Sequence, residues 1–143
     1  MRDKIDAILE QVADPDAPWV WLPTDTEPEL WDHLVTAARK AGVQVIDLDH
    51  ERDIRTQQDL LTAFREQIDQ PTWTGSSMNA LKDTLVGLQN EPNCWAIVLR
   101  NPDFLAEDDP ETFEDLLDVV EAANEARRKC PITLITLDAE EEE

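Results

Sequence analysis

Apolar residues recur along this chain in two alternating rhythms. Ile5, Ile8, Leu9 and Val12 fall on one face at helical spacing and predict a helix over 2–12. Asp14-Pro15-Asp16-Ala17-Pro18 breaks that run, and Trp19-Val20-Trp21-Leu22 then reads as a short buried strand. Leu30, Trp31, Leu34, Ala37, Ala38 and Ala41 resume the helical period. Thr26-Glu27-Pro28-Glu29 offers that helix a Thr-x-x-Glu capping box with a first-turn Pro, and Gly42 offers a C-terminal cap. Val43 to Leu48 reads as a second strand. Thr56-Gln57-Gln58-Asp59 opens a helix that carries Leu60, Leu61, Phe64 and Ile68. After the loop Gln70–Gly75, Ser76 or Ser77 caps a helix running to about Leu88. Cys94–Leu99 is a third strand, Asp109-Pro110 starts a helix through Lys129, and Ile132–Leu137 is a fourth strand.

Strands therefore alternate with helices, and the strands are near-continuous apolar runs. Both features predict an α/β protein: a small, mostly parallel sheet covered by helices. A length of 143 residues fits one domain, and 41% hydrophobic residues supply a core. There is no internal repeat. The closing Asp138-Ala139 and four Glu form a solvated acidic tail, 139–143.

Charge changes the picture more than length does. With 12 basic and 33 acidic residues the formal net charge is −21. Such a field repels nucleic acid and anionic lipid and attracts basic partners. Solubility alone is an equally good reason for an acidic surface. The Met1-Arg2-Asp3-Lys4-Ile5-Asp6 start has no apolar signal region, and the longest apolar run, Cys94–Leu99, is too short for a bilayer. A cytoplasmic location is the expectation. Cys94 and Cys130 lack CxxC spacing and a His-rich neighbourhood, so they read as buried thiols.

Two segments could carry chemistry. In Asp47-Leu48-Asp49-His50-Glu51-Arg52-Asp53, Asp47 and Asp49 leave a strand end on the same side. Ligand sites of parallel sheets lie beyond such ends, and paired carboxylates with a His could hold a hard cation. A metal-dependent phosphohydrolase built on Asp47, Asp49 and Asp53 is thus one alternative. An ordinary polar loop is the preferred reading, because the only glycines are Gly42, Gly75 and Gly87 and no phosphate cradle, nucleophile or basic clamp accompanies the acids. Gly-x-Ser-x-Gly is absent, neither Cys adjoins a His, and His33 reads as a solvated residue on a helix flank. No cofactor, metal or enzymatic activity is expected.

The second segment is Pro71 to Leu85. Met78, Leu81, Leu85 and Leu88 form an apolar stripe, so Asp83 points away from the core, with Asn79 and Ser76 on the same outer face. Pattern alone leaves this face as plain solvated helix. The segment resembles the signature of the barstar family, intracellular inhibitors of barnase-type secreted ribonucleases. Trp73 matches the first of an aromatic pair, Gly75 the glycine, and Ala80, Leu81, Asp83 and Leu85 the helix pattern. Asn79 stands in place of an Asp, Thr74 in place of the second aromatic, and Lys82 where an aromatic is frequent. The order of elements continues the resemblance over about 43–138, ending on Cys130-Pro131-Ile132-Thr133.

That resemblance implies a function. Barstar-like proteins insert this loop and helix into a ribonuclease active site, where acidic side chains occupy RNA phosphate positions. The position of Asp83 is then the central contact, with Trp73, Gly75, Ser77 and Asn79 around it. The acid supplied by the family's last helix registers onto Asn124, with Glu121 and Glu125 as neighbouring substitutes. The implied partner is a basic, barnase-type bacterial ribonuclease. The implied architecture is a barstar-like domain, 43–138, with an N-terminal helix–strand–helix extension, 1–42, packed on it. A barstar-like interaction module with a non-ribonuclease partner is the other alternative.

Overall fold

Side-chain alternation in the strands decides how the layers are built. The computed structural model describes residues 2–12, 19–22, 26–49, 53–67, 78–86, 95–126 and 132–137. In chain order these form α1 (Arg2–Val12), β1 (Trp19–Leu22), α2 (Pro28–Lys40), β2 (Gln44–Asp47), α3 (Gln57–Gln67) and α4 (Met78–Val86). Then come β3 (Trp95–Leu99), α5 (Asp103–Asp108), α6 (Pro110–Ala126) and β4 (Ile132–Leu137). The protein is α/β, with a four-stranded, wholly parallel sheet in the order β1-β4-β3-β2. Residues of β3 face opposite sides in turn. Trp95, Ile97 and Leu99 join the core under α3, α4, α5 and α6, while Ala96 and Val98 join the core under α1 and α2. β4 divides likewise, with Ile132 and Leu134 on the first side and Ile135 on the second. Every residue of β3 is buried, as a central parallel strand with both faces covered requires.

The N-terminal segment is built into this sheet. β1 pairs with β4 from Trp19 opposite Leu134 to Leu22 opposite Leu137. Ile5, Ile8, Val12, Leu30, Trp31, Leu34 and Val35 pack with Ala96, Val98 and Ile135 on the second face. Two hydrogen bonds tie the layers across the chain. The Thr133 hydroxyl donates to the Val12 carbonyl at the end of α1 (3.3 Å), and Trp19 Nε1 donates to the Leu117 carbonyl of α6 (3.0 Å).

Local signals explain the ends of the elements. Gly42 adopts φ 91°, its N–H donates to Arg39 O (3.1 Å), and the Val43 N–H donates to Ala38 O (2.9 Å). This is the left-handed double closure that a helix-ending glycine favours. Thr56 Oγ1 accepts from the Asp59 N–H at 3.2 Å, and Asp59 Oδ2 accepts from the Arg55 N–H at 3.1 Å, closing the first turn of α3. At the start of α2 the N-cap falls one residue beyond Thr26. Glu27 takes the N-cap with extended backbone and no side-chain cap, because Pro28 starts the helix one residue later. α5 has no counterpart in the sequence pattern, since six residues are too few to display a helical period. The Asp109 side chain closes a neighbour: its Oδ2 accepts the Gln57 N–H at the start of α3 (3.1 Å). Among the described residues no helix is long and apolar enough to cross a membrane.

Candidate partner-binding surface

α4 separates its residues sharply. Leu81 and Leu85 are fully buried, Met78 is half-buried, and Asn79, Lys82 and Asp83 are exposed. Leu81 and Leu85 are one turn apart and anchor the helix in the core, so Asp83 between them must leave on the outer side. Thr84, half-buried, returns its hydroxyl to the Ala80 carbonyl (2.9 Å) and so presents no donor outward. Asp83 and Asn79 thus share one outward face, a turn apart. Trp73, Gly75 and Ser77, with Thr74, lie outside the described residues, as do Cys94, Cys130 and the acidic tail.

α6 lies alongside α4. It buries Thr112, Leu116, Val119, Val120, Ala123 and Asn124. Asn124, the position onto which the family's last-helix acid registers, is 3% exposed, and its Nδ2 donates to the Ile132 carbonyl at 2.7 Å. It braces the start of β4 and faces the core. Among the described residues its Oδ1 and Trp95 Nε1 have no hydrogen-bond partner, and both are buried. Glu125 is exposed and Glu121 half-buried. Neither lines the groove of about 490 Å³ between the helices, which is bounded by Gln57, Met78, Asn79 and Lys82 on one side and Asp115, Asp118, Val119 and Ala122 on the other. Asp115 and Asp118 could not be singled out in a chain with 33 acids, because nothing in the sequence says which flank of α6 meets α4.

The carboxyl ends of β2 and β3 carry a separate cluster, centred on Arg100. Its guanidinium grips Asp47 with two bonds, Nε to Oδ1 at 3.2 Å and Nη2 to Oδ2 at 2.7 Å, and Nη1 reaches Asp32 Oδ1 at 2.9 Å. Asp49 accepts two backbone N–H groups, those of Arg100 and Asn101, both at 2.8 Å. Burial alone would lower the Arg100 pKa, but hydrogen bonds and charge from Asp47 and Asp32 leave it raised. Burial raises the Asp49 pKa against the lowering effect of its backbone donors. Asp53 is exposed and pairs with Arg55 at 3.7 Å, away from the other two acids. Asp47 and Asp49 are therefore engaged in joining β2 to β3 rather than turned together toward solvent. Among the described residues no group of three or more His, Cys, Asp or Glu is placed to hold a metal ion. His33 is exposed on α2, and His50 lies outside the described residues.

A wholly parallel sheet, covered on both faces, with an acid-bearing helix beside a second acidic helix, defines an α/β domain. The family model described as Barstar (barnase inhibitor) matches residues 41–136. The chain belongs to the barstar family. That family comprises inhibitors rather than enzymes. No curated protein matches the chain.

Proposed function

We propose that this protein is a stoichiometric inhibitor of a basic ribonuclease, whose active site it blocks with α4 and the preceding loop. The observation that carries this reading is Asp83, exposed on α4 where the resemblance puts the central contact, while Leu81 and Leu85 on either side are buried in the core. A ribonuclease must gather cations to hold phosphate, and a fixed carboxylate is a good substitute for a phosphate oxygen. The net charge of −21 draws such an enzyme over long range. Asn79 lies beside Asp83 as a neutral contact, and Trp73, Gly75 and Ser77 complete the proposed surface. Glu121 and Glu125 are the weaker contacts of the last helix. The producing cell would gain protection from its own enzyme, which places the inhibitor in the cytoplasm.

Titration of the purified protein into an RNA-cleavage assay with barnase, and with a panel of other secreted bacterial ribonucleases, tests the proposal. The expected result is loss of cleavage with a one-to-one end point for at least one enzyme. A panel left fully active at a large excess of this protein would favour the second reading, an interaction module of the same fold with another kind of partner. Lys82 supports that second reading, since it places a cation directly beside Asp83 where a phosphate mimic gains nothing from one.

A further inference from the structure

We propose that the groove between α1 and α2 is where a second copy of this chain docks, the two copies related by a two-fold axis. This face lies outside the family match and on the side of the sheet opposite α4, so the inference stands apart from the inhibitor reading. Charge distinguishes it from the rest of the molecule. The helices of the first face, α3 to α6, carry twelve acids and two bases, whereas α1 and α2 carry five acids and four bases. Two molecules of net charge −21 repel each other, and the nearly neutral face is the one on which they approach at least cost. The groove itself, about 610 Å³, has an apolar lining from Ile5, Leu9 and Ala37. Leu9 and Ala37 are only half-buried, so both still have apolar surface to withdraw from water. Asp6 stands on the α1 wall and Lys40 on the α2 wall, both exposed. Among the described residues they form no ion pair, with each other or with any third group. An acid on one wall and a base on the other make the face complementary to itself. A two-fold axis sets Asp6 of one copy against Lys40 of the other, and the reverse, so both contacts form together. With 11 and 13 residues the helices are about 16 and 20 Å long. The area they can bury falls at the small end of the interface range, so the pair is weak and reversible.

Two measurements on the full chain test this, and no ribonuclease enters either, so their outcome is independent of the inhibitor reading. Sedimentation velocity is run over a range of concentrations at about 0.15 M salt, where charge is screened beyond about 8 Å. The expected result is a reversible equilibrium between monomer and dimer. In NMR spectra of wild type, the methyl signals of Ile5, Leu9 and Ala37 should shift with concentration as the dimer forms. Asp6→Lys should weaken dimerisation about tenfold, because each of two symmetric contacts turns from attraction to repulsion. Lys40→Glu should do the same, and the double swap Asp6→Lys/Lys40→Glu should restore the wild-type equilibrium. Glu10→Lys makes the same charge change as Asp6→Lys at an exposed position of α1 outside the groove. It lowers the net repulsion and should dimerise as well as wild type or better. A chain that stays monomeric at every concentration overturns the inference, as do methyl shifts centred elsewhere. If Asp6→Lys strengthens association as Glu10→Lys does, net charge alone governs it and the proposed contact is absent. A double swap no better than either single variant likewise removes the pairing of Asp6 with Lys40 and overturns the two-fold arrangement.

Discussion

At the scale of single residues, two aspartates of this chain do opposite work. Asp83 is exposed and among the described residues makes no hydrogen bond or ion pair, so Asp83→Ala should change stability by no more than about 0.5 kcal/mol. As the proposed centre of the interface it should cost about 2 kcal/mol or more in binding, roughly thirtyfold. Lys82→Ala should bind equally well or better. Thermal melts and titrations against an inhibited ribonuclease separate these effects, and an Asp83→Ala protein that inhibits as well as wild type removes α4 from the interface. Asp47 is 6% exposed and holds Arg100. Asp47→Ala leaves a largely buried guanidinium without its main partner and should lower stability by about 3 kcal/mol, measured by urea unfolding. Asp49 links stability to pH. Its folded pKa is raised above the ordinary 3.8, so the folded state binds its proton more tightly than the unfolded chain does. That contribution is fully present below 3.8 and is lost as pH rises through the raised value. The stability of wild type relative to Asp49→Asn should therefore fall as pH rises from below 3.8 through the raised value. A difference that is flat or rises over that range would contradict the direction of the shift.

At the scale of elements, the helices are positioned by how they end as much as by what they bury. α2 stops at a glycine in the left-handed region, which turns the chain directly into β2. Gly42→Ala places a β-carbon in that region and should cost about 1 kcal/mol, seen as a lower melting temperature with binding unchanged. A stabilised Gly42→Ala protein would show that the turn relaxes to another conformation. The pairing of α4 with α6 shapes the candidate surface. Each helix read singly shows a buried stripe and a polar back, and the stripe of α4 was legible because Leu81 and Leu85 recur at helical spacing. The groove was not legible. Met78 and Lys82 meet Asp115 and Asp118 only because two helices separated by β3 and α5 pack side by side.

At the scale of the whole molecule, the family match covers 41–136 and leaves out α1, β1 and all of α2. Those elements supply Ile5, Ile8, Val12, Val20, Leu22, Leu30, Trp31 and Leu34 to the core on the second face of the sheet. Removing them uncovers Ala96, Val98 and Ile135 and frees one edge of β4. Each large side chain buried contributes roughly 1.5–3 kcal/mol, so a chain cut to 43–138 forfeits more than the net stability of a typical domain. The truncated protein should be molten or aggregated, with dye-accessible apolar surface and weak near-ultraviolet dichroism. A cooperative melt at the wild-type temperature would show that the extension is dispensable.

What the sequence determined by itself was local and periodic. Strand and helix spacing, the Gly42 cap, the closing of α3 by Thr56 and Asp59, and the outward direction of Asp83 all follow from residues within a few positions of one another, where backbone geometry sets the outcome. The near-continuous apolar strands likewise demanded a sheet covered on both faces. Tertiary structure decided everything that depends on which element lies beside which. Asn124 registers onto an interface acid in the signature, yet the rotation of α6 against the sheet turns it inward to the Ile132 carbonyl. Strand alternation puts Asp47 and Asp49 on one side of a strand end, but only the parallel pairing of β2 with β3 brings Arg100 to both. Asp32 joins them from α2, 68 residues away from Arg100 in the chain. The physical reason is the same in each case: helical and strand periods orient a side chain about its own element's axis, whereas its partners are chosen by packing between elements distant in sequence.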